Sequence, residues 1–446
     1  MTSANLRRAL SVWDLILYGI VLIMPIAAVP LFGLVQQMTL GHAVTAILLS
    51  MVAMVLTASS YGRMGARFPA AGSAYTFVRE GINPWFGFLA GWAMLLDYLL
   101  VPVVCVLYAA LTISRIVPAV PSWIWCLLIV AAITAVNLAG VRSTANANLA
   151  MMIAALLVIV PFLVLAIRWL YLRQGWSGLF STSPFYVPQN FHWRQMAAGT
   201  ALAALTYGGF DGISTLSEEV ENPERNIPLA TISVCIFTGI FGGLQIYLAQ
   251  RVHPAFLDFA NVETAFMDVT RVVGGSWLFG AMAVILIVTN LGSSLTAQAG
   301  ISRLLYGMGR DGVLPRRFFG YIHPRTSVPS WNILLVGILA FAGCLVLDYE
   351  KAAELINFGA FLAFAGVNAS AASIFYLRAQ RGQRRTGRDL LLPLAGMVFC
   401  LAIWWNLSWL AKIAGGLWFA AGLVYLAILT RGFSQLPQAV EKGFNA

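Results

Sequence analysis

Two acidic residues, Asp97 and Asp211, stand inside long apolar stretches of the chain. A carboxylate near the centre of a bilayer costs about 3 kcal/mol on insertion scales, so it normally faces a cavity or a partner. No Lys or Arg lies at mid-span to pair with either acid. Two unpaired acids at different depths would attract a cation and could hold both ammonium ends of a diamine. Two alternatives stay open: Asp97 could be hydrogen-bonded between helices, and Asp211 could cap a half-helix by accepting backbone N–H groups.

Two apolar stretches carry helix-breaking residues where a membrane helix should be continuous. They are Met24-Pro25-Ile26-Ala27-Ala28, in the first hydrophobic stretch, and Tyr207-Gly208-Gly209-Phe210-Asp211-Gly212, in about the sixth. Irregular backbone at that depth is tolerated only where it is buried in protein or lines a wet cavity. A pair of such breaks, one in each half of the chain, indicates the binding site of an inverted-repeat transporter. The alternative is a pair of kinks that only assist packing.

The residues of the first break bear on the ligand. Free N–H groups of a broken helix favour anions, and free C=O groups favour cations. Pro25 removes one donor, and Met24 and Ile26 add bulk where a carboxylate would need room. This favours a ligand without a carboxylate. Ala27 and Ala28 are small, so a displaced anion site stays open as the alternative.

Aromatic residues near the breaks could enclose an ammonium group by cation–π contact. Tyr98, Tyr207 and Phe210 are the first candidates, and Trp92 and Phe358 are second choices. The candidate binding residues are therefore Met24, Ile26, Ala27, Ala28, Asp97, Tyr98, Tyr207, Gly208, Gly209, Phe210 and Asp211.

Composition places these residues in a membrane protein. Of 446 residues, 60% are hydrophobic and 10% are charged, whereas soluble proteins carry about 25% charged residues. A membrane span needs about 20 apolar residues. The sequence predicts an all-α fold with about 12 spans in a single transmembrane domain covering 1–446. The predicted spans are 12–38, 41–62, 84–114, 121–140, 145–170, 195–219, 228–250, 272–306, 329–347, 353–377, 390–409 and 412–430.

The Lys and Arg residues are distributed unevenly between the two sides of the predicted membrane spans. The formal net charge is +10, and most Lys and Arg residues fall in the loops on one side of the predicted spans. The positive-inside rule then predicts cytoplasmic termini and an even number of spans. This placement argues against a nucleic-acid partner. The 5 cysteines and 4 histidines have no metal-ligand spacing, so we expect no metal, no cofactor and no catalytic residues.

Three motifs, in order along the chain, resemble those of the amino acid–polyamine–organocation permeases. They are Phe68-Pro69-Ala70-Ala71-Gly72-Ser73-Ala74-Tyr75-Thr76-Phe77, Glu218-Glu219-Val220-Glu221-Asn222-Pro223-Glu224-Arg225-Asn226-Ile227-Pro228 and Ser302-Arg303-Leu304-Leu305-Tyr306-Gly307-Met308-Gly309-Arg310-Asp311-Gly312-Val313-Leu314-Pro315. Within that superfamily the chain resembles the bacterial putrescine importers. That similarity rests on Leu95-Leu96-Asp97-Tyr98-Leu99, Gly209-Phe210-Asp211, Thr215-Leu216-Ser217-Glu218-Glu219, Phe319-Gly320-Tyr321-Ile322-His323-Pro324 and Leu355-Ile356-Asn357-Phe358-Gly359-Ala360.

The resemblance implies a LeuT-type fold. It predicts two inverted five-helix repeats, 12–172 and 195–378, followed by two extra helices in 389–430. It also implies secondary active transport, across a bacterial cytoplasmic membrane, of an amine such as putrescine or another polyamine. An amino acid permease or exchanger is the alternative. The putrescine importers carry an acidic residue where this chain has Pro30, so a more apolar amine is also compatible. Beyond this substrate and the lipid bilayer, we expect no obligate protein partner.

The coupling ion follows from the same comparison. Some family members use a buried Lys in span 5, and this chain has none. Proton coupling would then run through Asp97 or Asp211, because burial favours the neutral form of a carboxyl. A sodium site near Ser293 and Ser294 is the rival, although small hydroxyl residues also pack membrane helices closely. We expect H⁺ rather than Na⁺.

Overall fold

The computed structural model describes residues 10–69, 73–140, 145–217, 219–310, 312, 314–380, 382 and 384–434. Every regular element in these ranges is helical, which confirms the all-α class; the one β-type contact is an isolated parallel bridge between Leu10 and Val220. Some motif residues lie outside the described ranges: Ala70, Ala71, Gly72, Glu218, Asp311 and Val313.

The α-helices are numbered in chain order. They are α1 (Val12–Ile23), α2 (Phe32–Met38), α3 (Ala43–Arg67), α4 (Ser73–Gly81), α5 (Pro84–Ile116), α6 (Ser122–Leu138), α7 (Ala145–Leu179), α8 (Trp193–Ala203), α9 (Pro223–Val252), α10 (Ala265–Arg310), α11 (Arg316–Phe319), α12 (Ser330–Val346), α13 (Tyr349–Ala372), α14 (Leu392–Trp405) and α15 (Trp409–Leu429). Short 3₁₀ helices cover Val29–Leu31, Ala204–Tyr207 and Phe210–Leu216, and π-helical turns cover Ser373–Leu377 and Thr386–Leu391.

Eight of the helices in the described ranges are long and apolar enough to cross a membrane. Three further apolar helices, α1, α6 and α12, are shorter. The chain is therefore an integral membrane protein. The predicted total of twelve spans remains a prediction, because α1 and α8 are each only part of a spanning length.

Local capping sets where several helices begin. The side chain of Asn83 accepts a hydrogen bond from the backbone N–H of Phe86 at 3.0 Å, and Pro84 occupies the first position of α5. At the start of α13, a carboxylate oxygen of Asp348 accepts from the N–H of Lys351 at 2.8 Å. Both arrangements satisfy N–H groups that have no partner within their helix.

The bundle is organised around a few long helix pairs. Helix α3 packs along α9, and α5 packs between α13 and α10. Helix α14 lies against α13, and α15 lies against both α13 and α5. The indoles of Trp92 on α5 and Trp418 on α15 stack at 5.0 Å, and each ring N–H donates to the other residue's carbonyl at 2.9 Å. Trp92, a second-choice aromatic candidate, therefore joins α5 to α15 and lies outside both breaks.

Two connecting segments differ from their sequence-based prediction. The polar sequence from Arg63 to Glu80 predicts a cytoplasmic connector with a short surface helix, but most side chains of α4 are buried because its apolar residues pack against α5 and α13. The sequence also predicts an external loop over 173–194, but one more helical turn, up to Leu179, follows the non-helical residue Gly175 in α7. The φ of 64° at Gly175 suits glycine.

Candidate functional site

The first predicted break is present in the structure. Helix α1 ends at Ile23, and Met24 has a φ of 68°. Regular structure resumes at Val29. Inside the gap, the amide of Gln245 on α9 donates from Nε2 to the carbonyl of Pro25 at 2.8 Å. A protein side chain therefore satisfies one backbone group that the break exposes.

The second predicted break is also present. Helix α8 ends at Ala203 and passes through one 3₁₀ turn, after which Gly209 adopts a φ of 106°. A 3₁₀ helix then begins at Phe210. A Cβ at Gly209 would lie 3.6 Å from the backbone of Leu22, so the two breaks are packed against each other.

A cavity of about 350 Å³ lies beside both breaks. Its walls come from α1, α3, α5, α7, α10, α13 and the second break. Most lining side chains are apolar, among them Met24, Met54, Val101, Met151, Phe361 and Phe364. The polar lining residues are Asp97, Tyr98, Asn148, Tyr207, Asp211, Ser293, Thr296 and Asn357. An apolar pocket with a few converging polar groups is typical of a small-molecule site.

Both acids of the sequence analysis face this cavity. Asp97 comes from α5 and Asp211 from the second break, so the two carboxyls reach one cavity from different elements. No Lys or Arg lines the cavity, and neither acid forms an ion pair with any residue that the structure describes. The carboxyl of Asp211 interacts with the backbone N–H groups of Asp211 itself and of Gly212. The cavity therefore carries two acidic groups without a basic counter-ion.

The structure separates the candidate binding residues into two groups. Met24, Asp97, Tyr98, Tyr207, Gly208, Gly209, Asp211 and the coupling candidate Ser293 line the cavity. The remaining candidates, Ile26, Ala27, Ala28, Phe210 and Ser294, do not line it.

The residues outside the cavity have other neighbours. Ile26 is buried in the core, and Ala27 and Ala28 face a small cleft against α9. Phe210 packs edge-on against Tyr61 and Phe364, with ring centroids 5.4 and 5.3 Å apart.

The coupling candidates also differ from one another. The hydroxyl of Ser294 points to the carbonyl of Pro102, at 3.5 Å, whereas Ser293 faces the cavity. Tyr207 faces the cavity as well, but its hydroxyl donates to the carbonyl of Ile47 at 2.8 Å.

Sequence reasoning missed two amides and several apolar residues of the cavity. Asn148 and Asn357 line it, and Asn357 donates to the carbonyl of Ala201 at 2.7 Å. An amide inside an apolar span is a signal of the same kind as a mid-span acid, so these two were available to prediction. Met54, Met151 and Phe361 give no such signal, because membrane helices contain many apolar residues on every face.

The fold and cavity together define a class. An all-helical membrane protein with two discontinuous helices beside an internal cavity has the features of a membrane transporter. The comparisons with known proteins agree: residues 10–439 match the sequence model described as "Amino acid permease". The chain belongs to the amino acid permease family, whose members are transporters rather than enzymes.

Two relatives illustrate the range of that family. The chain is 36% identical over 439 residues to the low-affinity putrescine importer PlaP of Escherichia coli K12, covering 97% of this chain and 96% of the relative. It is 26% identical to the branched-chain amino acid permease BcaP of Bacillus subtilis, covering 97% of this chain and 95% of the relative.

Proposed function

We propose that this chain is a secondary active transporter that imports an organic amine. The observation that carries the proposal is the pair of carboxyls, Asp97 and Asp211, in a cavity whose described walls contain no basic residue. Removing two acids from water without a counter-charge is unfavourable, so the site favours a cationic ligand or bound protons. The similarity to a putrescine importer supports the same substrate class.

The cavity suits an amine with an apolar stem. One ammonium group would be held by the carboxylate of Asp211, with Tyr98 supplying an aromatic face. A second ammonium, where the substrate has one, would be held by Asp97. The chain between them would contact the methionines and phenylalanines of the walls. Putrescine, another polyamine or a more apolar amine is compatible with this arrangement.

An amino acid is the second candidate substrate. The similarity to a branched-chain amino acid permease favours it, and the cavity walls are largely apolar. An amino acid also needs a site for its carboxylate. At the first break Pro25 offers no N–H group, and the N–H groups of Met24 and Ala27 already donate to backbone carbonyls at 2.9 and 3.1 Å. The shortage of free N–H donors supports the amine over the amino acid.

The proposal includes a LeuT-type arrangement of twelve spans. The inverted repeats would cover 12–172 and 195–378, and the two extra helices 389–430. Helices α1 and α8 are the first helices of these two segments, both are interrupted, and both interruptions lie beside one cavity. We place both termini on the cytoplasmic side of a bacterial inner membrane, because the basic loops then lie inside.

Transport would proceed by alternating access with proton coupling. Asp97 and Asp211 are the proposed proton sites, since no cation pairs with either acid within the described ranges. Ser293 and Thr296 face the cavity, and their hydroxyl groups are the candidate ligands of the alternative sodium site. The hydroxyl of Thr296 donates to the carbonyl of Gly292 at 3.0 Å, and its oxygen lone pairs remain able to coordinate a cation.

Uptake by the purified chain in liposomes tests this function. The substrates would be labelled putrescine, a monoamine of the same length and leucine, each under a separately imposed proton or sodium gradient. We expect amine uptake that follows the proton gradient, with leucine neither transported nor competing. Leucine uptake that putrescine fails to inhibit would support the amino acid permease instead. Amine uptake that requires sodium would overturn the coupling proposal alone.

A further inference from the structure

A second cavity is lined by residues outside both helix breaks. Its volume is about 700 Å³, and it lies between the end of α3, the π-helical turn Ser373–Leu377 and the residues that lead into α14. It shares no lining residue with the cavity that contains Asp97 and Asp211. Any ligand bound there would therefore occupy a separate site.

The walls of this second cavity are rich in arginine. Four arginines line it, Arg63, Arg67, Arg378 and Arg388, against two acids, Glu224 and Asp389. The local balance is positive.

One of these arginines is held by the protein itself. The guanidinium of Arg63 forms an ion pair with Asp389 at 2.6 Å, and the two side chains are 10% and 8% exposed. A second N–H group of Arg63 donates to the carbonyl of Arg388 at 3.0 Å, and its guanidinium carbon lies 4.0 Å from the centre of the Phe375 ring. This buried pair fixes the wall of the cavity and neutralises one positive charge.

The other arginines keep their charge. Arg378 donates to the carbonyls of Glu80 and Ile82 at 2.9 and 3.2 Å, and carbonyls leave its positive charge uncompensated. Arg67 and Arg388 are exposed, and neither side chain has a hydrogen bond or ion pair with any residue that the structure describes. Two guanidinium groups with free donors therefore face the same cavity.

We propose that this basic cavity binds the phosphate group of an anionic ligand. The guanidinium fork of arginine matches phosphate oxygens and can donate two hydrogen bonds to them. Basic pockets between membrane helices on the cytoplasmic side are known to bind phospholipid headgroups, and the positive-inside rule predicts that side for these arginines. Ile374 and Phe375 add apolar surface to the same walls. A phospholipid headgroup and a soluble phosphate share this chemistry, and the experiment below distinguishes them.

The test uses the full chain, purified in detergent. The probes are phosphatidylglycerol, phosphatidylcholine and inorganic phosphate at matched ionic strength, and the readout is the thermal unfolding midpoint against probe concentration. The variant is Arg67→Gln with Arg388→Gln. The matched control is Arg316→Gln with Arg317→Gln, which removes two exposed arginines outside the cavity.

We expect phosphatidylglycerol to stabilise the wild-type chain more than phosphatidylcholine does. In the Arg67/Arg388 variant its half-saturating concentration should rise by about tenfold, as expected for the loss of charge-assisted hydrogen bonds. The Arg316/Arg317 control should resemble the wild type. Stabilisation by inorganic phosphate that shows the same dependence on Arg67 and Arg388 assigns a soluble ligand, and a response to the lipid alone assigns a headgroup.

Two results would overturn the proposal. One is equal weakening in the variant and the control, which would indicate general surface charge. The other is a wild-type chain that responds to none of the anionic probes. Should the double variant fail to fold, the single change Arg388→Gln with spin-labelled phosphatidylglycerol gives the same comparison in the folded chain.

Discussion

The two helix breaks differ in what satisfies their backbone groups. At the first break, Pro25 lacks an N–H, and the amide of Gln245 donates to its carbonyl at 2.8 Å. At the second, Gly208 and Gly209 line the open cavity, and Asp211 adds a carboxyl beside them. A side chain from another helix therefore satisfies the first break. The second break is closed by local backbone bonds, from Gly208 to Leu205 at 3.0 Å and from Gly212 to Gly209 at 3.1 Å, and it adds a carboxyl to the cavity. Substrate charge should be recognised at the second break and on the α5 side of the cavity.

The largest effect is expected from Asp211→Asn. A charge-assisted hydrogen bond is worth about 2 kcal/mol, so amine affinity and uptake should fall by about 30-fold. Uptake in liposomes measures this, and the thermal midpoint checks folding. Asp258→Asn is the matched control, because Asp258 is exposed and outside the cavity. Unchanged uptake by the Asp211→Asn variant would show that the second break does not bind the ammonium group of the substrate.

The next change tests how the first break is stabilised. Gln245→Met leaves the carbonyl of Pro25 without its donor, which should lower the free energy of unfolding by about 1–3 kcal/mol. Gln36→Met is the control, since Gln36 is fully buried and neither of its amide atoms has a partner among the described residues. Removing that unsatisfied amide should leave stability unchanged or raise it. Thermal unfolding of both variants measures the difference, and equal destabilisation would contradict the role of Gln245.

The third change tests the backbone of the second break. Gly209 has a φ of 106°, and Gly208 has a φ of −54° that any residue can adopt. Gly209→Ala should cost about 1–2 kcal/mol, because a Cβ disfavours left-handed backbone. Gly208→Ala should cost much less. If the two variants unfold at the same temperature, the left-handed conformation of Gly209 does not determine the stability of this break.

The smallest effect separates the two acids. Asp97→Asn should weaken uptake of a diamine about fivefold more than uptake of a monoamine of the same length, a difference of about 1 kcal/mol. The physical reason is that the second ammonium loses its carboxylate while the first keeps Asp211. Uptake of both substrates by the same preparation measures the ratio. Equal effects on both amines would contradict two-ended binding.

The sequence predicted the positions of both breaks, because proline and paired glycines act locally on the backbone. It also predicted that Asp97 and Asp211 face a cavity, because an acid exposed to lipid at mid-span is energetically costly. It did not predict that Ala27, Ala28 and Phe210 would lie outside that cavity. A broken segment has no helical period, so neighbouring residues along it can point in unrelated directions.

The sequence also did not predict which connecting segments are buried. The segment that contains α4 has polar residues at both ends and was expected at the surface, but tertiary packing buries it. Asn357 is the opposite case. Its amide stands in an apolar span, and the rule that selected the two acids would have selected it too.

The paired indoles of Trp92 and Trp418 have a consequence for motion. Sliding α15 along α5 by one helical turn would break two hydrogen bonds and a ring stack at once. Helix α15 should therefore travel with α5 as one rigid body. A spectroscopic label on the outer face of α15 would then report displacements of α5 from a position that no substrate can reach.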